Sequence, residues 1–337
     1  MTAFALPASA PAQEATRLTA DDRKMFRGTA AQVLPWMSTD EILSSIGCRF
    51  DVESCIPTVA GREYPKTRLW LRSDNGDHLG TFGNRRQVIQ PRNFIEYFRD
   101  FCDKSGKAIN LDVVGTIGSG EVFYMASKLA DCDFEALRAA NPGKHFEIKQ
   151  DLDPADRTQA WLVITDFYGE TKAPQALVYL NELVCYNGMS RQTQTKLAGL
   201  THLKQQNAGN VSATILNALE QLSIYGSIKN RLIETKVTPE FARNVINTFY
   251  RKPGEDTSKK ADRIMDIYRN GLIGGHLATR QDTAWGLLSA VTQNTTHGHV
   301  GNNPDTQARA FRSSLDGPRA LEGRRFAEHL DTCLAAV

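Results

Sequence analysis

Alternating apolar and polar positions dominate the chain between about residues 65 and 187. Residues 67–83 read TRLWLRSDNGDHLGTFG, and the two alternating runs flank Asn75-Gly76, the strongest short-range signal for a β-hairpin. Residues 109–129 repeat this arrangement around a cluster of glycines, and residues 160–189 contain two further strand-like runs joined near Gly169. The pattern therefore predicts an antiparallel sheet assembled from β-hairpins.

The glycine cluster lies in GTIGSGEVFYM, residues 115–125, and could belong to a phosphate-binding loop or to a tight turn. A nucleotide-binding loop needs a strand before its glycines and a helix after them. Here the glycines precede EVFYMASKL, which is rich in β-branched and aromatic residues, and no Lys-Ser or Lys-Thr follows at P-loop spacing. The sequence favours a hairpin in which glycine supplies the positive φ of the turn.

Helical periodicity marks a few segments before residue 190 and most of the chain after it. MSTDEILSSIG opens with a capping box formed by Ser38 and Glu41, and Pro91 begins an amphipathic helix in QPRNFIEYFRDFCDKSG. Beyond residue 190, Thr238-Pro239-Glu240 predicts the start of another helix. RQDTAWGLLSAVTQNTTH predicts a helix with one apolar face, which consists of Ala284, Leu287, Leu288 and Val291.

These elements predict an α+β fold, in which an antiparallel, β-hairpin-rich sheet with packed helices precedes a mainly helical C-terminal half. The Ala, Pro and Ser content of the start of the chain predicts a flexible tail over residues 1–37. A mixed α+β sheet domain is predicted over residues 38–210. A helical region is predicted over residues 211–337, packed on the sheet domain.

Composition adds few constraints on function. The 337 residues carry a formal net charge of +2, so any nucleic-acid interface must be a local basic patch. The six cysteines include no C-x-x-C pair and several lie in apolar runs, which is typical of reduced thiols in a cytoplasmic protein. No apolar run approaches the roughly 20 residues that span a membrane, so no membrane partner is predicted.

The sequence contains only weak signals for catalytic or metal-binding residues. His297 and His299 in THGHVGNNP lack a third ligand at suitable spacing, and Asp151 and Asp153 in DLDPADR are typical of a surface turn. The sequence contains no G-x-S-x-G motif, which nucleophilic hydrolases of the α/β class require. We therefore predict no catalytic residues, no metal site and no cofactor.

Basic residues give a more specific signal, because several of them cluster near segments rich in Gln, Thr and Asn. Residues 229–269 hold ten Lys or Arg against six Asp or Glu. Two shorter segments, GNRRQVIQPR and SRQTQTKLAGLTHLKQQNAGN, supply the candidate phosphate contacts, which are Arg85, Arg86, Arg92, Arg191, Lys196, His202 and Lys204.

Four aromatic residues on the predicted strands, Phe123, Tyr124, Phe167 and Tyr168, have two possible roles. On an open sheet face they would stack on the bases of a single strand. Successive strand residues point to opposite faces, however, and this alternation favours core packing for most of them.

Five segments occur in an order that resembles the phage/plasmid-like protein family, known as domain of unknown function 932. They are LGTFGNRRQVIQPRNFIEYF, EVFYMASKL, LVYLNELVCYNGM, HLKQQNAGN and TAWGLLSAVTQNTTH, and the resemblance extends from about residue 40 to about residue 300. It implies a role in the DNA metabolism of mobile elements and assigns no reaction. By analogy, the hairpin-rich sheet, the following helix and the basic strip resemble the plan of phage single-strand annealing proteins.

Annealing proteins of that plan hold single strands in a basic groove, often on an oligomeric ring, and need no catalytic residues. The sequence therefore predicts a non-enzymatic protein that binds single-stranded DNA in recombination or replication of a mobile element. Nucleic acid is its predicted partner, and a homo-oligomer is left open. Two alternatives stay open: a metal-dependent nuclease, and a protein-interaction module that antagonises host defence.

Overall fold

The computed structural model describes residues 26, 30–104, 109–129, 158–169, 174–182, 187–192, 208–251, 258–298 and 303–336. The strands within these ranges are β1 (Ala30–Gln32), β2 (Val52–Cys55), β3 (Thr58–Val59), β4 (Arg62–Glu63), β5 (Thr67–Arg72), β6 (His78–Gly83), β7 (Val113–Ile117), β8 (Val122–Lys128), β9 (Thr158–Phe167), β10 (Gln175–Glu182) and β11 (Asn187–Gln192). The helices are α1 (Thr39–Ser45), α2 (Pro91–Lys104), α3 (Ala208–Glu234), α4 (Pro239–Tyr250), α5 (Lys259–Asp266), α6 (Ala284–His297), α7 (Pro304–Asp316) and α8 (Pro318–Ala335). A π-helical turn, Ile267–Gly271, continues α5.

The strands form three sheets. The largest has the order β1-β7-β8-β9-β10-β11, a second has the order β2-β5-β6, and β3 and β4 pair only with each other. The pairings of β1 with β7, β7 with β8, β8 with β9, and β5 with β2 and β6 are all antiparallel. Strand content in the N-terminal half and helix content in the C-terminal half confirm the α+β prediction.

The described elements divide into two compact units. The sheet unit contains β1 to β8, α1, α2, residues 161–169 and 174–178, and the first part of α3 through Glu220. The helical unit contains the rest of α3 and α4 to α8, together with residues 158–160, 179–182 and 187–191. The predicted boundary between residues 210 and 211 lies inside α3.

Local sequence signals begin several elements where they were predicted. The hydroxyl of Ser38 accepts a hydrogen bond from the Glu41 amide, and the Glu41 carboxylate accepts one from the Ser38 amide, which together form the capping box of α1. Thr238 caps α4 ahead of Pro239 in the same way, through the amide of Phe241. The hairpin of β5 and β6 turns at Gly76, which has a φ of +76°.

The glycine cluster forms the turn of the β7–β8 hairpin, which confirms the hairpin interpretation over a nucleotide loop. Gly118 and Gly120 have φ values of +72° and +104°, a region that residues with a Cβ rarely adopt. A Cβ on Gly120 would also approach the Phe50 ring to 2.9 Å. These glycines therefore serve the backbone and the packing of the turn.

The predicted flexible tail, residues 1–37, includes residues that the structure places within the fold. Ala30–Gln32 form β1, which pairs with β7 at the edge of the six-stranded sheet. Phe26 is fully buried, and its ring centroid lies 5.1 Å from that of Trp161. Residues 1–25 and 27–29 lie outside the described ranges. Phe26 and Ala30–Gln32, which lie within the predicted tail, are therefore part of the fold.

Helix α6 differs from the prediction of one apolar face. Its four predicted apolar residues are buried, but so is every residue from Ala284 to Thr296. Two of its threonines form hydrogen bonds within the helix: the Thr292 hydroxyl donates to the Ser289 carbonyl and the Thr295 hydroxyl to the Thr292 carbonyl. A helix that is enclosed on all sides cannot be recognised by a one-face pattern.

Candidate nucleic-acid interface

The β3–β4 hairpin projects from the sheet unit, since every residue from 58 to 66 is exposed. Val59 pairs with Arg62 and Thr58 with Glu63. The connection is a two-residue turn at Ala60 and Gly61, whose φ values of +51° and +74° are typical of the tight turns that match strand twist. One further hydrogen bond, from the Tyr64 amide to the Pro57 carbonyl at 3.0 Å, extends the ladder.

The two faces of this hairpin carry different chemistry. Side chains alternate along a strand and directly paired residues share a face, so Arg62, Tyr64 and Val59 lie on one face. Glu63 and Thr58 lie on the other. Tyr64 is 49% exposed, which leaves a large part of its ring open to solvent. One face therefore combines a cation with an exposed aromatic ring, and the carboxylate lies on the opposite side.

The base of the hairpin adds two more cations. The Asn84 amide donates to the Lys66 carbonyl at 3.1 Å, which fixes the residues after β6 beside the residues before β5. Lys66 is exposed, and so is Arg85, the residue after Asn84. Within the described ranges, no ion pair involves Arg62, Lys66 or Arg85. We call Arg62, Tyr64, Lys66 and Arg85 the basic hairpin surface.

The basic hairpin surface has the two components that single-stranded nucleic acid requires. Arginine and lysine contact backbone phosphates independently of sequence. An exposed aromatic ring stacks on an unpaired base, because every base offers a π-face. The arrangement of exposed cations and an exposed ring therefore suits the binding of a single strand.

Arg86 has a different environment from its neighbour Arg85. Its guanidinium donates to the Phe167 carbonyl at 2.8 Å and lies 3.7 Å from the Asp166 carboxylate. The same group stacks over Phe82, with 4.2 Å to the ring centroid. The Arg86 side chain is only 21% exposed, and burial lowers its pKa. These contacts anchor Arg86 within the sheet unit, which favours a structural role for a residue predicted to contact phosphates.

Asp166, the carboxylate beside Arg86, is buried. Burial raises the pKa of Asp166 to about 6, although the Arg86 charge and the hydrogen bond from the Phe167 amide act in the opposite direction. A carboxyl group with a raised pKa can mark a functional site when it lies in a cleft. Asp166 lies on β9 opposite Phe123 of β8, is 2% exposed and has Arg86 as its charged neighbour, which favours a structural role.

The other residues predicted to contact phosphates lie in different places, and some lie outside the described residues. Arg92 lies in the first turn of α2 and forms an ion pair with Asp40 in the first turn of α1. The backbone of Arg191 belongs to β11, and its side chain lies outside the described part of the molecule. Lys196, His202 and Lys204 lie outside the described residues. Arg85 is thus the predicted contact that the structure brings to the basic hairpin surface.

The basic segment 229–269 is less available than its charge count suggests. Arg231 pairs with Asp331, and Lys260 pairs with Glu322 at 2.7 Å. Lys229 is buried, with its ammonium 3.0 Å from the Thr158 hydroxyl and 4.9 Å from the Trp285 ring centroid. Tertiary contacts therefore neutralise or enclose several of these cations.

The four aromatic residues considered for base stacking are all buried. Phe123, Tyr124 and Tyr168 are fully inaccessible, and Phe167 is 2% exposed. Their position in the core confirms the packing interpretation and excludes them as a stacking platform. The sequence analysis missed Tyr64 because β3 and β4 are two residues long. The local signal was Gly61, which supplies a positive φ in the two-residue turn.

The described ranges contain no group of three or more His, Cys, Asp or Glu side chains that could hold an ion. His297 is exposed at the end of α6. Asp151, Asp153 and His299 lie outside the residues that the structure describes. None of the helices in the described chain combines the length and the apolar character of a membrane span.

Comparison with known families gives one match. Residues 78–316, more than half of the chain, match the model of a family described as "Domain of unknown function (DUF932)". The chain belongs to the DUF932 family. No curated protein and no solved structure matches the chain significantly. The DUF932 match begins at His78, so the β3–β4 hairpin precedes it, whereas Arg85 and α6 lie inside it.

Proposed function

We propose that this DUF932 protein binds single-stranded DNA without catalysing a reaction on it, and acts in recombination or replication of a mobile element. The observation that carries the proposal is the basic hairpin surface, where the exposed Tyr64 ring shares a face with Arg62 and the exposed cations Lys66 and Arg85 lie at the base of the hairpin. The resemblance to phage/plasmid-like proteins supports the mobile-element context. The buried free thiols of Cys48 and Cys102 support a reducing, cytoplasmic location.

A preference for single strands follows from the chemistry of Tyr64. A base in a duplex is already stacked on both sides, so an exposed side chain gains little by approaching it. An unpaired base has a free face, and stacking on an aromatic residue is worth about 1–3 kcal/mol. Arg62, Lys66 and Arg85 contribute attraction to any nucleic acid, and Tyr64 contributes the discrimination.

The first experiment is a fluorescence-anisotropy titration of a labelled single-stranded oligonucleotide, repeated with its duplex at several salt concentrations. Three phosphate contacts predict a slope of roughly −2 for log K against log salt concentration on a single strand. We expect tighter binding to the single strand. Absence of binding at low salt would refute the proposal.

A charge-matched pair of triple variants tests the location of the site. Arg62→Gln, Lys66→Gln and Arg85→Gln remove the three cations of the basic hairpin surface, and we expect most of the salt-dependent affinity to disappear. Arg243→Gln, Lys259→Gln and Arg325→Gln remove three exposed cations of the helical unit and leave the same net charge. Equal losses in the two variants would mean that general charge, and not this surface, determines binding.

A further inference from the structure

A cleft of about 500 Å³ opens within the helical unit, between the start of α4, the π-helical turn and the loop from 272 to 282. Its polar lining includes Arg269, Asn270, His276, Arg280, Gln281 and Asp282. Its volume lies in the range of about 300–1,000 Å³ that small-molecule sites occupy. The cleft is separate from the basic hairpin surface, which belongs to the sheet unit.

The walls of the cleft are fixed by hydrogen bonds from buried residues. The Gln293 side-chain amide donates to the Gly271 carbonyl at 2.8 Å and accepts from the Ile273 amide at 2.9 Å, so α6 holds the end of the π-helical turn. A Cβ on Gly286 would lie 2.0 Å from the Arg280 carbonyl, so only glycine lets this loop pack against α6. The site is therefore formed before any ligand arrives.

The charge of the lining is that of an anion site. The lining contains two arginines, Arg269 and Arg280, and one carboxylate, Asp282, while Asn270, Gln281 and His276 supply further polar groups. Arg269 is exposed, whereas Arg280 is 1% exposed and its guanidinium donates to the Ile273 carbonyl at 3.4 Å, so Arg280 forms part of the wall. The ammonium of Lys236 donates to the carbonyl of the lining residue Gln281 at 3.1 Å. Arginine pairs with planar or tetrahedral oxyanions through two parallel hydrogen bonds.

Tyr268 gives an independent indication of a ligand. It lines the cleft, and its hydroxyl is buried without a hydrogen-bond partner among the residues that the structure describes. Burial, and secondarily the Asp282 charge, raises the pKa of Tyr268 to about 12, so the phenol remains a donor at neutral pH. Buried donors in native proteins are nearly always paired. An oxygen of a bound anion would satisfy this one. The π-helical turn that carries Tyr268 is a rare conformation that is frequently found at functional sites.

We infer that this cleft binds a phosphate monoester of nucleotide size. The exposed Arg269 pairs with the phosphate, and the volume exceeds what inorganic phosphate fills, which leaves space for an attached nucleoside. The monoester has two sources, a free nucleotide or the 5′-phosphorylated end of a strand. The inference does not rest on the proposed function, since none of the lining residues belongs to the basic hairpin surface.

Isothermal titration of the full chain with deoxyadenosine monophosphate tests the inference, with deoxyadenosine and inorganic phosphate as comparison ligands. We expect the monophosphate to bind at least tenfold more tightly than either. If citrate binds as tightly as the monophosphate does, the assignment of the cleft to a phosphate is overturned. Absence of monophosphate binding, combined with equal affinity for 5′-phosphorylated and 5′-hydroxyl oligonucleotides, would overturn the site.

The variant Arg269→Gln removes an exposed cation of the cleft, and we expect it to weaken monophosphate binding at least tenfold. Arg243→Gln, on α4, is the control and should leave that affinity unchanged. If the free nucleotide is the source, Arg269→Gln leaves single-strand affinity intact. If a strand end is the source, Arg269→Gln removes only the preference for the strand that carries a 5′-phosphate. Failure of this site is thereby distinguished from failure of the basic hairpin surface, and unchanged monophosphate affinity in Arg269→Gln would refute the assignment.

Discussion

Two β-hairpins of the sheet unit have the same local connectivity and opposite environments. In the β7–β8 hairpin, β8 lies between β7 and β9, and Phe123 and Tyr124 are fully buried. The β3–β4 hairpin forms its own two-stranded sheet, and its residues from 58 to 66 are exposed. An aromatic ring in the first hairpin contributes to the core, whereas Tyr64 in the second remains available to a ligand.

Neighbouring strands account for this difference. A central strand has both edges hydrogen-bonded, and here helix α2 also covers β8, since the rings of Phe94 and Phe123 pack 5.6 Å apart. A two-stranded ribbon buries little apolar area, so it tolerates polar residues on both faces. Aromatic residues in a strand therefore indicate a binding surface only after the neighbours of that strand are known.

The largest expected contrast is in stability. Phe123→Ala removes a fully buried ring, and we expect it to lower the free energy of unfolding by about 3–5 kcal/mol because of the cavity that it leaves. Tyr64→Ala, the matched change in the exposed hairpin, should alter it by less than about 0.5 kcal/mol. Urea unfolding of both variants measures the difference. Similar losses would mean that the β3–β4 hairpin is packed against other residues.

The strand beside the buried hairpin should give a pH-dependent stability. Burial raises the pKa of Asp166 from 3.8 to about 6, so the protonated carboxyl stabilises the fold below about pH 4 and this stabilisation is lost as the pH rises through 6. Two pKa units correspond to about 3 kcal/mol. We expect wild type to lose up to about this much stability relative to Asp166→Asn between pH 4 and pH 7.5. If the difference in unfolding free energy between the two proteins does not change with pH, the raised pKa of Asp166 is contradicted.

The exposed hairpin should affect binding alone. Tyr64→Ala should weaken single-strand binding by about 5- to 150-fold, which corresponds to the loss of one stacked base. Tyr64→Phe keeps the ring and should retain most of the affinity. Anisotropy titrations at one salt concentration measure both. If Tyr64→Phe loses as much affinity as Tyr64→Ala, the hydroxyl and not stacking is responsible.

The smallest expected effect separates the two faces of the β3–β4 hairpin. Glu63 lies on the face opposite Arg62, so Glu63→Gln should tighten single-strand binding by no more than about twofold, through a screened interaction. Arg62→Gln should weaken binding more strongly, since it removes a phosphate contact. A large gain in Glu63→Gln would indicate that DNA contacts the face that carries Glu63.

The elements that the sequence predicted well are those encoded by neighbouring residues. Ser38 with Glu41 begins α1, Thr238 with Pro239 begins α4, and Gly118 and Gly120 supply the positive φ of the β7–β8 turn. Caps and turns are completed within a few residues, so a short stretch of sequence contains their physical cause. The antiparallel β-hairpins and the change from strands to helices follow from the same local information.

The candidate site depended on contacts between residues distant in sequence. Arg85 and Arg86 are adjacent, yet one is exposed and the other is held by Asp166 and the Phe167 carbonyl, about 80 positions later. The cleft in the helical unit likewise requires Gln293 to hold the turn around Gly271. Such contacts have no counterpart in local periodicity.

Local sequence is sufficient for the α+β class, the hairpin turns and the helix starts of this protein, because backbone conformation responds mainly to nearby side chains. Which cations and rings are exposed to solvent depends on tertiary packing. Burial is a property of the assembled neighbours: the same residue type is an anchor where strands and helices surround it, as at Arg86, and a candidate ligand contact where they do not, as at Arg62.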